Sequence, residues 1–367
     1  MSKHPYQGIP ATAHWRRAVS DLPAGQVDPV GKFKFLVRAD DKVATAGSCF
    51  AQHIARHLAS GGLQHYVVEP GHPIATPQQR ETFGYGMFSA RYGNLYTARQ
   101  LLQLYDRAFG TFVPVEPVWR TEGGAFIDPF RPTVEPGGFA SLEELLADRA
   151  QHLGAVRRLF ETVDVFVFTL GLTEHWYSRE DGAVFPVCPG VAGGEFDAQR
   201  HQFGNFSVAS VVADLEQFQA RLRAVNPSAR IILTVSPVPL MATMEPRHVI
   251  QSTTVSKAVL RVAADHMERT FDNVAYFPSY EIITGPQARG QFFGPDLRSV
   301  AEDGVARVMG LFMRHAAGRE LESATPPAAA VSPTEASTFD RDARRIVGVI
   351  CDEDLIGDVG APGGRSG

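Results

Sequence analysis

Val43-Ala44-Thr45-Ala46-Gly47-Ser48-Cys49-Phe50, continued by Ala51-Gln52-His53-Ile54-Ala55-Arg56-His57-Leu58, changes character at its glycine. The first four residues are apolar or β-branched and stop at Gly47, as a short buried strand does. From Phe50 the apolar residues recur at 50, 54 and 58, the spacing of a helix that buries one face. A strand turning through Gly-Ser directly into a helix opens a parallel α/β layer, and that turn falls at the carboxyl edge of the sheet, where such sheets bind ligands. Runs at 163–170, 231–235 and 274–277 are apolar almost without interruption, which a sheet covered on both faces requires. Helical stripes at 98–109, 142–160 and 208–225 alternate with them, so the expected class is α/β with a mainly parallel sheet and right-handed crossovers.

Outside these elements, 71–83 reads as loop. The Pro- and Gly-bearing segments 111–138 and 181–205 read as long excursions at one sheet edge, placed as lids or binding loops are. Past Arg319 the composition shifts to Ala, Pro, Ser and Thr. Residues 1–318 are therefore expected as one domain and 319–367 as a low-complexity, disordered tail, with the weakly apolar 345–350 as a short docking element.

The 367 residues are 44% hydrophobic, ample for a sizeable core, and carry a net charge of -5 without a long run of one sign. That argues against a nucleic-acid surface. No apolar stretch is long enough to span a bilayer, and the start of the sequence has no signal-peptide pattern. Cys49, Cys188 and Cys351 are odd in number and scattered, which suits a reducing, cytoplasmic setting and supplies neither a disulfide framework nor metal-ligand spacing. There is no dinucleotide-binding glycine turn and no P-loop, so no cofactor is expected.

Ser48 has two readings. As a nucleophile it lies beside unpaired helix N–H groups that stabilise a developing oxyanion; as a structural residue it is a helix N-cap. Cys49 is a rival nucleophile by acidity, or a small apolar core residue. His53 and His57 lie one turn apart, as paired zinc ligands do, but the Glu of that motif is missing and no carboxylate completes a site. A solvated helix face and no metal are expected.

Gly47-Ser48-Cys49-Phe50-Ala51 resembles the signature of the GSCFA-domain proteins. Four further blocks are similar to that family: Phe88-Ser-Ala-Arg-Tyr-Gly-Asn-Leu-Tyr-Thr-Ala-Arg-Gln, Thr169-Leu-Gly-Leu-Thr-Glu-His-Trp, Thr234-Val-Ser-Pro-Val-Pro-Leu and Tyr276-Phe-Pro-Ser-Tyr-Glu-Ile. The resemblance covers about residues 10–315 and implies a branch of the SGNH (GDSL-like) hydrolases. With it come a flavodoxin-like three-layer α/β/α sandwich and acyl-ester chemistry. It puts Ser48 at the nucleophile, Gly93 and Asn94 at the second block, and Thr173 where the superfamily has an oxyanion-binding Asn, followed by Glu174. The oxyanion would be held by the backbone N–H groups of Ser48 and Gly93 with Thr173 or Asn94. The chain departs from the pattern at Asp296-Leu297-Arg298-Ser299, where Asp-x-x-His is expected: the base position is Ser299.

A base must lie within hydrogen-bond reach of the nucleophile. His248 follows the strand at 231–235 and is the first choice, with Asp296 as the orienting acid. His175 is at the same edge, beside Trp176 and Tyr177. Lys257 is either an amine base of the Ser-Lys kind or, with Arg261 one turn on, faces solvent or a bound anion. Arg298 binds a substrate anion or pairs locally with Asp296; Arg91 and Arg99 grip a ligand or build the fold. Two functions remain open: a serine esterase or O-acyltransferase acting on a small-molecule or glycan acyl ester, and a non-catalytic carbohydrate- or acyl-binding protein with a degenerate triad. Oligomeric state is not legible.

Overall fold

In the computed structural model, which describes residues 4–319, Asp352 and residues 354–357, the turn at Gly47 joins β1 (Lys42–Gly47) to α1 (Phe50–Ser60). Next come β2 (Gln64–His65), α2 (Pro77–Thr82), α3 (Ala98–Ala108), the hairpin β3 (Trp119–Arg120) and β4 (Phe126–Ile127), α4 (Leu142–Thr162) and β5 (Val165–Leu170). Then follow β6 (Glu174–Ser178), β7 (Val184–Phe185), β8 (His201–Asn205), α5 (Val208–Val225), β9 (Arg230–Val235) and α6 (Val249–Thr270). The chain continues through β10 (Val274–Tyr276), α7 (Ser279–Thr284) and α8 (Glu302–Ala316), with α9 (Asp354–Gly357) in the tail.

The central sheet is ordered β10-β9-β5-β1-β2 and all its pairings are parallel. Counting only these five strands along the chain gives the order 2-1-3-4-5, the flavodoxin-like arrangement, whose crevice opens where the order reverses, between β1 and β5. Helices cover both faces. Phe166 and Phe168 of β5 pack with Leu101, Leu159, Phe218 and Leu260 from α3, α4, α5 and α6. Val165 and Val167, pointing the other way, pack with Ile54, Leu58, Ile283 and Phe312 from α1, α7 and α8. This alternation between two cores is why the strand is apolar from Val165 to Phe168 on both faces.

Helix starts follow local chemistry: Thr97 forms a capping box with Gln100, and Ser141 and Ser207 cap α4 and α5. The same device makes α2 from a segment expected as loop, because Thr76 and Gln79 cap each other's amides and Pro77 takes the first turn. Within 181–205, expected as an excursion, β7 and β8 pair antiparallel to β6 in a second sheet ordered β7-β6-β8. Its strands are short and contain Gly and Gln, so pairing rather than pattern defines them. Among the described residues no helix is long and apolar enough to cross a membrane. Residues 345–350, expected as a docking element, lie outside the described residues, and so does most of 319–367.

Candidate active site

Gly47 adopts φ +138°, and a Cβ there would lie 2.7 Å from both Cβ and N of Thr169. Only glycine lets β1 and β5 approach this closely. Ser48 follows, 3% exposed. Its amide donates to Thr169 O at 3.2 Å, so the expected role of that amide in an oxyanion hole is corrected: the sheet uses it. The N-cap reading requires Ser48 Oγ to accept an amide of the first turn. Among the described residues Oγ makes no hydrogen bond at all. A buried hydroxyl left unpaired costs about 1–3 kcal/mol, so the fold makes no use of this one.

Two segments meet at Ser48. Leu95 N donates to Gly47 O at 2.8 Å, and Tyr96 O accepts from the amides of Gly171 and Leu172, both at 2.9 Å. Residues 93–96 are thereby stitched across the ends of β1 and β5. Gly93, at φ +67°, turns the chain there, and Asn94 is buried with Gln52 donating to its Oδ1. On the other side, a Cβ on Gly171 would fall 3.0 Å from Ser48 Cβ. Thr173 donates its amide to Ser256 Oγ at 3.1 Å. Its own hydroxyl, like those of Thr169 and Thr234, is buried without a partner among the described residues. The edge thus presents hydroxyls able to donate to a ligand oxygen.

Lys257 is buried on α6, 1% exposed, with Nζ donating to Gly171 O at 2.7 Å. This corrects the solvated-face reading and sets an amine against the residue packed on Ser48. The histidines are engaged elsewhere. His248 is exposed and caps α6, its Nδ1 accepting from Ile250 N at 3.2 Å. His175 stacks on Phe206 with ring centroids 3.7 Å apart and bonds Thr173 O, and burial lowers its pKa to about 4. Replacing His248 by Ala should cost about 1 kcal/mol through the lost cap and leave Ser48 reactivity unchanged. Urea unfolding and serine-probe labelling on one preparation would check both halves.

Asp296 is exposed, accepting from the amides of Arg298 and Ser299 and, at 2.5 Å, from the Ser299 hydroxyl. An Asp–Ser pair stands where an Asp–His pair was expected. Arg91, read as either a ligand grip or a fold-building residue, takes the fold-building place. It is buried, with Nε on Phe83 O, Nη1 on Asp148 and Nη2 on Val134 O and Glu135. Arg131 joins Asp148 to the fully buried Asp128. Burial alone would raise the Asp128 carboxyl, but Arg131, Arg107 and Arg149 hold it well below the usual range. This network anchors the second block. Arg99 similarly pairs with Asp214. Cys49 is buried, consistent with its core reading, and so is His53, against expectation, with burial followed by Arg56 and His57 lowering its pKa to about 4. Among the described residues no group of His, Cys, Asp and Glu is arranged to hold a metal.

Beside Thr173 opens a cavity of about 210 Å³, mostly apolar, with walls that include Leu172, Trp176, Phe185 and Leu240. Glu174 lies in its wall and accepts from the Thr243 hydroxyl and Met244 amide, fixing the loop after β9. The described tail closes over this region. Asp352 is 1% exposed; its carboxylate accepts from Thr133 Oγ1 at 2.7 Å and Asn94 Nδ2 at 3.0 Å. Its amide donates to Tyr96 Oη at 3.0 Å, Asp354 pairs with Arg298 at 2.8 Å, and Ile356 lines the cavity. Thr133 and Asp352 escaped the sequence reading; the one signal was an acidic–apolar stretch, Asp352-Glu353-Asp354-Leu355-Ile356, inside an Ala- and Pro-rich tail.

A family model described as the GSCFA family matches residues 42–312. The chain is also similar to a crystal structure of an acetyl esterase mutant with an acetate ion, at 13% identity and a TM-score of 0.33, over 74% of this chain and 93% of that one. No curated protein sequence matches it.

Proposed function

The chain belongs to the GSCFA family, and from that premise we propose that it is a serine-dependent esterase or O-acyltransferase, with Ser48 as nucleophile and a small-molecule or glycan acyl ester as substrate. The observation that carries this reading is the unpaired, buried Ser48 Oγ at the β1/β5 crevice, flanked by residues 93–96 and Gly171. Ser48 Oγ attacks the acyl carbonyl and its proton passes to the Lys257 amine. The oxyanion is held by Thr173 Oγ1, Gly93 N–H and the Asn94 amide. As the tetrahedral intermediate collapses, the alkoxide leaves with the proton from Lys257 and the acyl group remains on Ser48. Water or an acceptor hydroxyl then gives its proton to Lys257, attacks the acyl carbon and returns Ser48 to its hydroxyl form. Lys257 replaces the imidazole base that Ser299 cannot be, because general-base lysines are buried ones.

The Asp296–Ser299 pair favours a second reading, a carbohydrate- or acyl-binding protein without turnover. Covalent labelling with a fluorophosphonate separates the two. Stoichiometric labelling of the full chain that disappears in Ser48→Ala supports the enzyme. If neither the wild type nor full-length Asp352→Lys, which lacks the carboxylate on Asn94, accepts the probe while folded, the enzyme reading fails.

A further inference from the structure

We propose that Asp352 and residues 354–356 of the C-terminal tail are a tethered occupant of the Ser48 site, filling a carboxylate-binding subsite that an acidic ligand must win from it. The inference rests on the reading of the Ser48 crevice as the substrate site. Its own evidence is the way three alternate side chains divide among three chemically different partners. Asp352 gives its carboxylate to two neutral donors, Asn94 and Thr133. Asp354 meets the Arg298 guanidinium at the fourth block. Ile356 enters the apolar cavity beside Thr173. Asp354 and Ile356 lie two apart on the helical turn α9, about 200° apart around its axis, so one short segment reaches the second block, the fourth block and the cavity together.

A tail packed for stability alone would bury apolar groups against a core. This one instead buries a carboxylate, which is costly unless donors satisfy it. The donors are Asn94, next to Gly93 in the block that meets Ser48, and Thr133, with the Tyr96 hydroxyl receiving the segment's amide. Burial raises the Asp352 carboxyl, and the hydrogen bonds from Asn94 and Thr133 lower it in part. Residues 320–351 connect the segment to the domain, which makes its binding intramolecular and independent of protein concentration. With the segment seated, Ser48 is 3% exposed and Asn94 donates to Asp352 rather than to a substrate oxygen. The ligand class that displaces it carries a carboxylate for Asn94 and Thr133 and an apolar group for the cavity.

The test uses full-length chains only: wild type, Asp352→Lys and, at a second and surface anchor, Asp354→Lys. Hydrogen exchange of residues 354–356 and 93–97 should be slow in wild type and at least tenfold faster in both variants. The rate of fluorophosphonate labelling of Ser48 should rise at least tenfold with it. A synthetic peptide of residues 351–357 added to Asp352→Lys should reverse both changes. Free-chain exchange of 354–356 in wild type would overturn the proposal, and so would faster exchange in the variants with an unchanged labelling rate. Absence of labelling in every chain would defeat the serine-enzyme reading instead. Peptide rescue of exchange protection at 93–97 would then support the tethered occupant, and its failure would overturn it.

Discussion

Full-length Lys257→Met is expected to fold and to label at Ser48 about 10²–10⁴ times more slowly, the contribution of a positioned general base. Methionine has an unbranched chain of similar reach and fills irregular space, so the substitution removes the amine and little volume. What it does remove is the donor 2.7 Å from Gly171 O, which should cost about 1–3 kcal/mol of stability if no other donor takes its place. Activity and stability losses are separable because unfolding can be followed on the same sample. Wild-type labelling rates in the variant would place the base elsewhere.

The opening turn was legible because two periodicities meet across Gly47-Ser48, and β5 was legible because facing two cores leaves four apolar residues in a row from Val165 to Phe168. Lys257 was not. The buried stripe of α6 runs Ser252, Ser256, Lys257, Leu260, Ala263, Ala264 and Met267. Its first half packs against Thr173 and Gly171 rather than a hydrophobic core, and hydropathy alone does not distinguish a buried polar stripe from a solvated one. Arg91 was left between two readings for a related reason. Arginine among tyrosines reads as a ligand grip, but its carboxylate partners lie 44 and 57 residues away and come together only on folding. Asp352 is 258 residues from Asn94, and no local pattern encodes that distance. The acidic–apolar stretch around it showed only that the tail is not uniform.

Gly47→Ala is expected to be the most destabilising single substitution proposed for this chain, at about 4–8 kcal/mol. The added Cβ would lie 2.7 Å from Thr169 N and Cβ and still closer to its carbonyl oxygen. None of these is the end of a flexible side chain, so the clash is relieved only by moving β1 from β5 at their Gly47–Thr169 register. Overpacking of this kind costs roughly 1–3 kcal/mol or more, a non-glycine residue in a sparsely populated backbone region adds about 1–3, and lost buried hydrogen bonds about 1 each. The bonds at risk are Ser48 N to Thr169 O and Leu95 N to Gly47 O. Against a typical total of about 5–15 kcal/mol, that is most of the stability of an ordinary domain. Gly137→Ala is the control: its φ is +79° but nothing lies within 4 Å of a Cβ there, so only backbone strain applies. Equal shifts in urea midpoint for the two variants would show that the β1/β5 approach at Gly47 is not tight. A much larger shift for Gly47→Ala, with Ser48 labelling lost in the fraction that still folds, would tie the position of the serine to this one close contact.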